Sequence, residues 1–167
     1  RNQPKIARFR VAFPGIRLHY AIKANDYAPL LTYVARQVDG LDIASGGELS
    51  IATVFAGADP ARISFAGPGK RIGEIESAID EGVTLNLESE REAEAVIAFV
   101  PRAGMRPRLA VRVNPPFEIK GSGMRMGGGA KPFGVDAERE PALVRRILDA
   151  GVGWPGVHHL ARSLALW

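Results

Sequence analysis

The chain has no cysteine. That absence excludes disulfides and thiolate-held metals, and it is compatible with a reducing cytoplasm. No apolar stretch approaches the roughly 18 residues of a membrane span. The start, RNQPKIARFR, lacks the apolar core of a signal peptide. Aromatics are only 7% of the residues, and no Lys/Arg run is interleaved with them. The net charge of +4 is therefore only a weak sign of nucleic-acid binding, and a phosphorylated small molecule explains it as well. The first residue is Arg rather than Met, which we take to mean a processed terminus or a partial gene product.

Two phosphate-binding signatures are also missing. No GxGxxG follows the first apolar strand, against a dinucleotide-binding fold. The GGG of Gly127–Gly129 lies in a long loop and lacks the Lys-Ser/Thr pair of a P-loop, so its spacing alone favours an ordinary loop.

What is present is regular punctuation over 167 residues, 46% of them apolar, enough for one domain with a core. Short apolar runs at Ile16–Ala24, Leu41–Ala44, Ile63–Ala66, Val83–Leu87, Arg108–Val113 and 156–160 read as six strands. Helical spacing separates them: 28–38, 46–57 ending near Gly57, 72–82, 89–100 and 141–151. The helix after Val83–Leu87 opens as a capping box, with Ser89 at the N-cap and Glu92 three positions on. Strands alternating with helices imply βα units and a parallel sheet. The alternatives are a doubly wound sheet and a (β/α)8 barrel.

Strand parity favours the barrel. One face is apolar: Leu18, Tyr20, Ile22; Leu41, Ile43; Leu85, Leu87; Leu109, Val111, Val113. The other carries small residues and then a polar group toward the C-terminal end: Lys23, Asp42, Asn86 and Glu88, Arg112 and Asn114, His158. Polar groups gathered at strand C-termini are the layout of a barrel mouth. Lys23 raises the sharpest question, since an ammonium is disfavoured in an apolar strand. Desolvated at a barrel mouth near Arg112, it would have a lowered pKa and offer the neutral amine that condenses with a carbonyl; exposed, it is an ordinary lysine. Asp42 is equally a capping or core carboxylate, Glu48 a helix-dipole residue, Arg112 a structural ion pair and Lys70 a surface lysine. His158 and His159 alternate across a strand, so the two cannot chelate one metal ion, and no metal site is expected.

YAIKAN, GLDIASGGEL, SFAGPGK, NLESERE, VRVNP and KPFGV, in that order, resemble the alanine-racemase-like barrel of the fold-type III pyridoxal-phosphate decarboxylases, which act on diaminopimelate, ornithine and arginine. The resemblance runs from Ile16 to Ser163. The stretch FEIKGSGMRMGGGAKPFGVDAER is similar to a diaminopimelate-decarboxylase-like subgroup that accompanies exosortase A. The resemblance implies pyridoxal 5'-phosphate as cofactor, with Lys23 forming the Schiff base. Asp42, Glu48 and Arg112 would lie at the cofactor, His158 would pack on its ring, and Ser163 would contact its phosphate. It also implies a small amino-acid substrate, a homodimer, a cytoplasmic enzyme, and neither nucleic acid nor membrane as partner. A non-catalytic pyridoxal-phosphate-binding barrel and an alanine-racemase-type isomerase remain as alternatives.

At the end, GVHHLARSLALW carries Arg162 and Leu164 where the family has glycine and glutamine. The glycine-rich phosphate loop and the C-terminal β-domain of the family are not in the sequence. We therefore expect a partial N-terminal barrel over 1–167, about six βα units, aggregation-prone and inactive alone. A purified monomer releasing carbon dioxide from an amino acid would refute that expectation.

Overall fold

A computed structural model describes residues 3–104, 106–114, 134–153 and 156–159. The order is α1 (Gln3–Ala12), β1 (His19–Ala21), α2 (Ala28–Ala35), β2 (Gly40–Ile43), α3 (Gly46–Ser50), β3 (Ile63–Phe65), α4 (Ile72–Asp80), β4 (Thr84–Leu87), α5 (Glu90–Ala103), β5 (Arg108–Asn114), β6 (Val135–Asp136), α6 (Glu140–Asp149) and β7 (Val157–His159). The strands form one sheet in the order β1-β2-β3-β4-β5-β6, with β7 paired to β5, and every pairing is parallel. Among the described residues β1 pairs only with β2 and β7 only with β5, so the sheet stays open: an α/β partial barrel, as expected.

The two faces divide as the parity argument requires. Leu41, Ile43, Ile63, Phe65, Leu85, Leu87, Leu109 and Val111 are all buried. Against them pack Leu31 and Val34 of α2, Ile75 and Ile79 of α4, Ala93 and Val96 of α5, and Leu143 and Ile147 of α6, each pair three or four residues apart on one helical face. Removing that apolar area from water is the main favourable term of the fold.

Several local expectations need correction. The first strand stops at Ala21, and Ile22–Ala24 form a turn of 3-10 helix, so Lys23 does not lie within a strand. The helix expected over 46–57 is α3 followed by a π-helical turn at Ile51–Phe55, with Gly57 at positive φ closing it. The helix α1 was not foreseen, because its apolar residues make no stripe; only Ile6 reaches the core. Strand β6 was also unforeseen, being two residues against the end of β5. The Gly127–Gly129 loop lies outside the described residues.

The two ends of the sheet are tied differently. At the strand N-termini, guanidinium groups answer carbonyls: Arg62 donates to Asp39 O at 3.0 Å, and also to Val38 O and Ala35 O at the end of α2. Arg10 of α1 donates to Gln37 O and pairs with Asp39, which accepts the N–H of Leu18. At the C-terminal end, carboxylates answer backbone amides. The carboxylate of Glu74 accepts the N–H of Arg71 at its own N-cap, at 2.9 Å, and the N–H of Gly46 at the start of α3, at 2.7 Å. Those two amides, Arg71 first, hold its carboxyl below the usual carboxylate range.

A depressed carboxylate contributes stability that is present above its unfolded value, about 4.3, and lost as pH falls through its lower folded value. Glu74→Gln should therefore lower stability by about 1 kcal/mol at neutral pH and flatten the acid limb of the stability profile. Denaturant unfolding across pH 7 to 3 measures both effects.

Candidate functional site

The face opposite the helices carries the candidate residues in register. Ala21 lies beside Asp42, and Asp42 beside Ser64; Asn86 lies beside Ala110, and Arg112 beside His158. The row thus places Asp42, Arg112 and His158 on one surface of the sheet, with Lys23 just past the C-terminal end of β1.

Its centre is Glu88, buried at the end of β4. One oxygen accepts the N–H of Gly67 at 2.6 Å; the other accepts from Arg112 Nη1 at 2.9 Å. The side chains of the pair are 1% and 8% exposed. A carboxylate so far from water requires both partners. Glycine is needed at 67, where φ is +148° and a Cβ would come within 3.0 Å of Ala44 O. It is needed again at 134, where φ is +76° and a Cβ would meet Arg112 O at 2.9 Å. Of the two readings for Arg112, the structural ion pair is present, and that pair also fixes a guanidinium on the polar face.

His158 is half-buried, and its Nδ1 is buried without a hydrogen-bond partner among the described residues, as is Asn114 Nδ2. Burial, and then the charge of Arg112, push the imidazole below its ordinary value; Glu88 and Asp42 oppose that. That shift favours the neutral ring, whose flat face suits it to lie against an aromatic ligand. His159 is exposed. Among the described residues no three His, Asp or Glu side chains converge on a possible metal position.

Other candidates depart from expectation. Lys23 is exposed, so the desolvation invoked for it is not there. Asp42 pairs with His19, Oδ1 to Nδ1 at 3.3 Å, a contact the sequence reading did not anticipate. Glu48 accepts the N–H of Ala44 at 2.7 Å while its own N–H donates to Ser45 Oγ, so it braces the β2–α3 loop. The β4–α5 loop repeats that arrangement. The N–H of Glu92 donates to Ser89 Oγ, but the Glu92 carboxylate accepts the N–H of Glu88 rather than that of Ser89, which corrects the expected capping box. Lys70 is neither at the surface nor free: its side chain is 1% exposed and bonded within the protein. Ser163 lies outside the described residues.

Residues 3–161 match the family model described as "Pyridoxal-dependent decarboxylase, pyridoxal binding domain". The chain is similar to a diaminopimelate decarboxylase of Aquifex aeolicus, 38% identical over 77% of this chain and 31% of that protein. It is similar to one of Methanothermobacter thermautotrophicus as well, 30% identical over 90% of this chain and 34% of that protein. In structure it resembles the Helicobacter pylori diaminopimelate decarboxylase complexed with L-lysine: TM-score 0.84, 29% identity, 98% of this chain and 44% of that one. The chain spans about a third of the length of these curated relatives.

Two outcomes test the site. Arg112→Ala strands Glu88 as an uncompensated buried charge and should cost about 3–5 kcal/mol; denaturant unfolding against wild type measures it, and a loss below about 1 kcal/mol would contradict the pairing. NMR titration should show His158 changing protonation below the free-imidazole value of about 6.5. Stability linked to it is then present above that value and is lost as pH falls through the folded one.

Proposed function

The chain belongs to the pyridoxal-dependent decarboxylases through their pyridoxal binding domain, and on that premise we propose that it is the cofactor-holding part of an amino-acid decarboxylase of the diaminopimelate or ornithine type. The observation that carries the reading is a fixed guanidinium on β5 beside an imidazole on β7 on one sheet face, with a primary amine just past the C-terminal end of β1. The substrate class rests on the names of relatives, several of which are diaminopimelate decarboxylases.

The donor set fits pyridoxal 5'-phosphate. Its aldehyde needs an amine, its ring a flat neighbour, and its phosphate cations and donors, and Lys23, His158 and Arg112 are of those types. When bound, the cofactor supplies the electron sink that lets an amino acid lose its carboxylate. The chain's own residues bind and orient it. Lys23 Nζ would hold the aldehyde carbon and is the group placed to take up and return a proton. His158 would lie along the ring. Arg112, immobilised by Glu88, supplies a fixed positive charge that needs no reorganisation. Asp42, held by His19, supplies the nearby negative charge, and Ser163 would donate to the phosphate. Glu48 would contribute by bracing the β2–α3 loop.

No described helix is long and apolar enough to cross a membrane; a cytoplasmic enzyme is the setting we propose, with which the lack of cysteine is compatible. We also take the working form to be a homodimer.

Incubation of the intact enzyme with pyridoxal phosphate and borohydride should label Lys23, located by peptide mass. In Lys23→Ala the label should vanish, and carbon dioxide release from diaminopimelate or ornithine should fall by about three orders of magnitude. Labelling at another lysine would overturn the assignment. Cofactor binding without carbon dioxide release would favour a non-catalytic binding protein.

A further inference from the structure

Burying an ammonium is expensive unless every proton finds an acceptor. Lys70, whose side chain is 1% exposed, meets that condition. Its Nζ donates to Gly67 O at 2.8 Å, to Asn86 O at 2.8 Å and to Glu92 Oε2 at 3.1 Å, and lies 5.6 Å from the centre of the Phe65 ring. Its backbone N–H donates to the other oxygen of Glu92 at 3.2 Å.

Each of these partners leads to Glu88. Glu92 Oε2 accepts the Glu88 N–H at 2.9 Å. Gly67, whose carbonyl Lys70 holds, donates its own N–H to the Glu88 carboxylate. Asn86 is two residues before it on β4, its side-chain amide donating to Ser64 Oγ at 2.8 Å. The bonds close a ring around the ends of β3 and β4 and the first turn of α5, and the one group that leaves the ring toward the site is the Glu88 oxygen on Arg112. An ammonium whose protons are all engaged cannot bind a ligand as well. What it can do is fix directions, because cooperative, fully satisfied networks hold one geometry.

We propose that Lys70 and Glu92 are positioning residues for the candidate cofactor site: they hold Glu88 so that its carboxylate fixes Arg112 beside His158. This rests on the decarboxylase reading for what the site binds, but not for the coupling from Lys70 to Arg112.

The test uses the intact enzyme carrying Lys70→Met together with Glu92→Gln, which removes both buried charges at once and leaves neither unpaired. Two quantities are read. The first, needing no cofactor, is the NMR titration of His158, whose ionisation senses Arg112, Glu88, Asp42 and His159. The second is the affinity for pyridoxal phosphate. The expected result is a cooperatively folded variant in which the His158 titration moves upward as Arg112 leaves it. Cofactor binding should weaken roughly tenfold or more, the scale on which outer-sphere partners act. An unmoved His158 titration in a folded variant overturns the proposal, whatever the melting temperature does. If the double variant fails to fold, Glu92→Gln alone leaves Lys70 bonded to Gly67 and Asn86, and the same reading decides. Should wild type bind no pyridoxal phosphate while the variant's His158 titration still moves, the decarboxylase reading fails and the positioning role stands.

Discussion

The carboxylate of Glu88 is the contact on which the polar face of this sheet depends. It is buried, and it holds a loop amide with one oxygen and a guanidinium with the other. Neither partner alone satisfies a charge so far from water. Both are therefore obligatory, and the constraint runs outward in two directions. On one side it fixes the β3–α4 loop at a glycine that no larger residue can replace without strain. On the other it holds the cation that, after burial, pushes the His158 imidazole below its ordinary value.

A second regularity lies in how the loops at this end are built. Ser45 with Glu48, and Ser89 with Glu92, make the same brace: serine takes the glutamate's amide, and the glutamate takes the amide just before the serine. Glu74 and Glu92 also reach back to the preceding loop, at Gly46 and Lys70. Side chains that look like helix caps in isolation thus stitch successive βα units together. Stitching by short carboxylate–amide bonds suits an end that must present fixed groups to a ligand, because such bonds are directional as well as strong.

Much of this was legible in the sequence because the signals were periodic. Alternation in LDIA and VTLNL sorted Leu41, Ile43, Leu85 and Leu87 from Asp42 and Asn86, and spacing of three and four marked α2, α4, α5 and α6. The failures have physical causes. Lys23 broke from its strand because a local 3-10 turn overrides the two-residue period. Helix α1 escaped notice because it buries little. Lys70 could not be placed at all: its burial comes from Gly67, Asn86 and Glu92, which converge only when two βα units pack. The His19–Asp42 pair was hidden for the same reason, being a contact across strands. The site was therefore readable as a set of residue types, and its supporting contacts were not.

Helix α2 has an unusual ending. The carbonyl of Ala35, its last residue, and that of Val38 beyond it are answered by Arg62, at the head of β3 and more than twenty residues later in the chain. The amides of Gln37 and Val38 close the helix locally on Val34 O, and Arg62 adds bonds that come with β3. One long cationic arm thus ties the end of α2 to the strand after the first βαβ unit, alongside the apolar core.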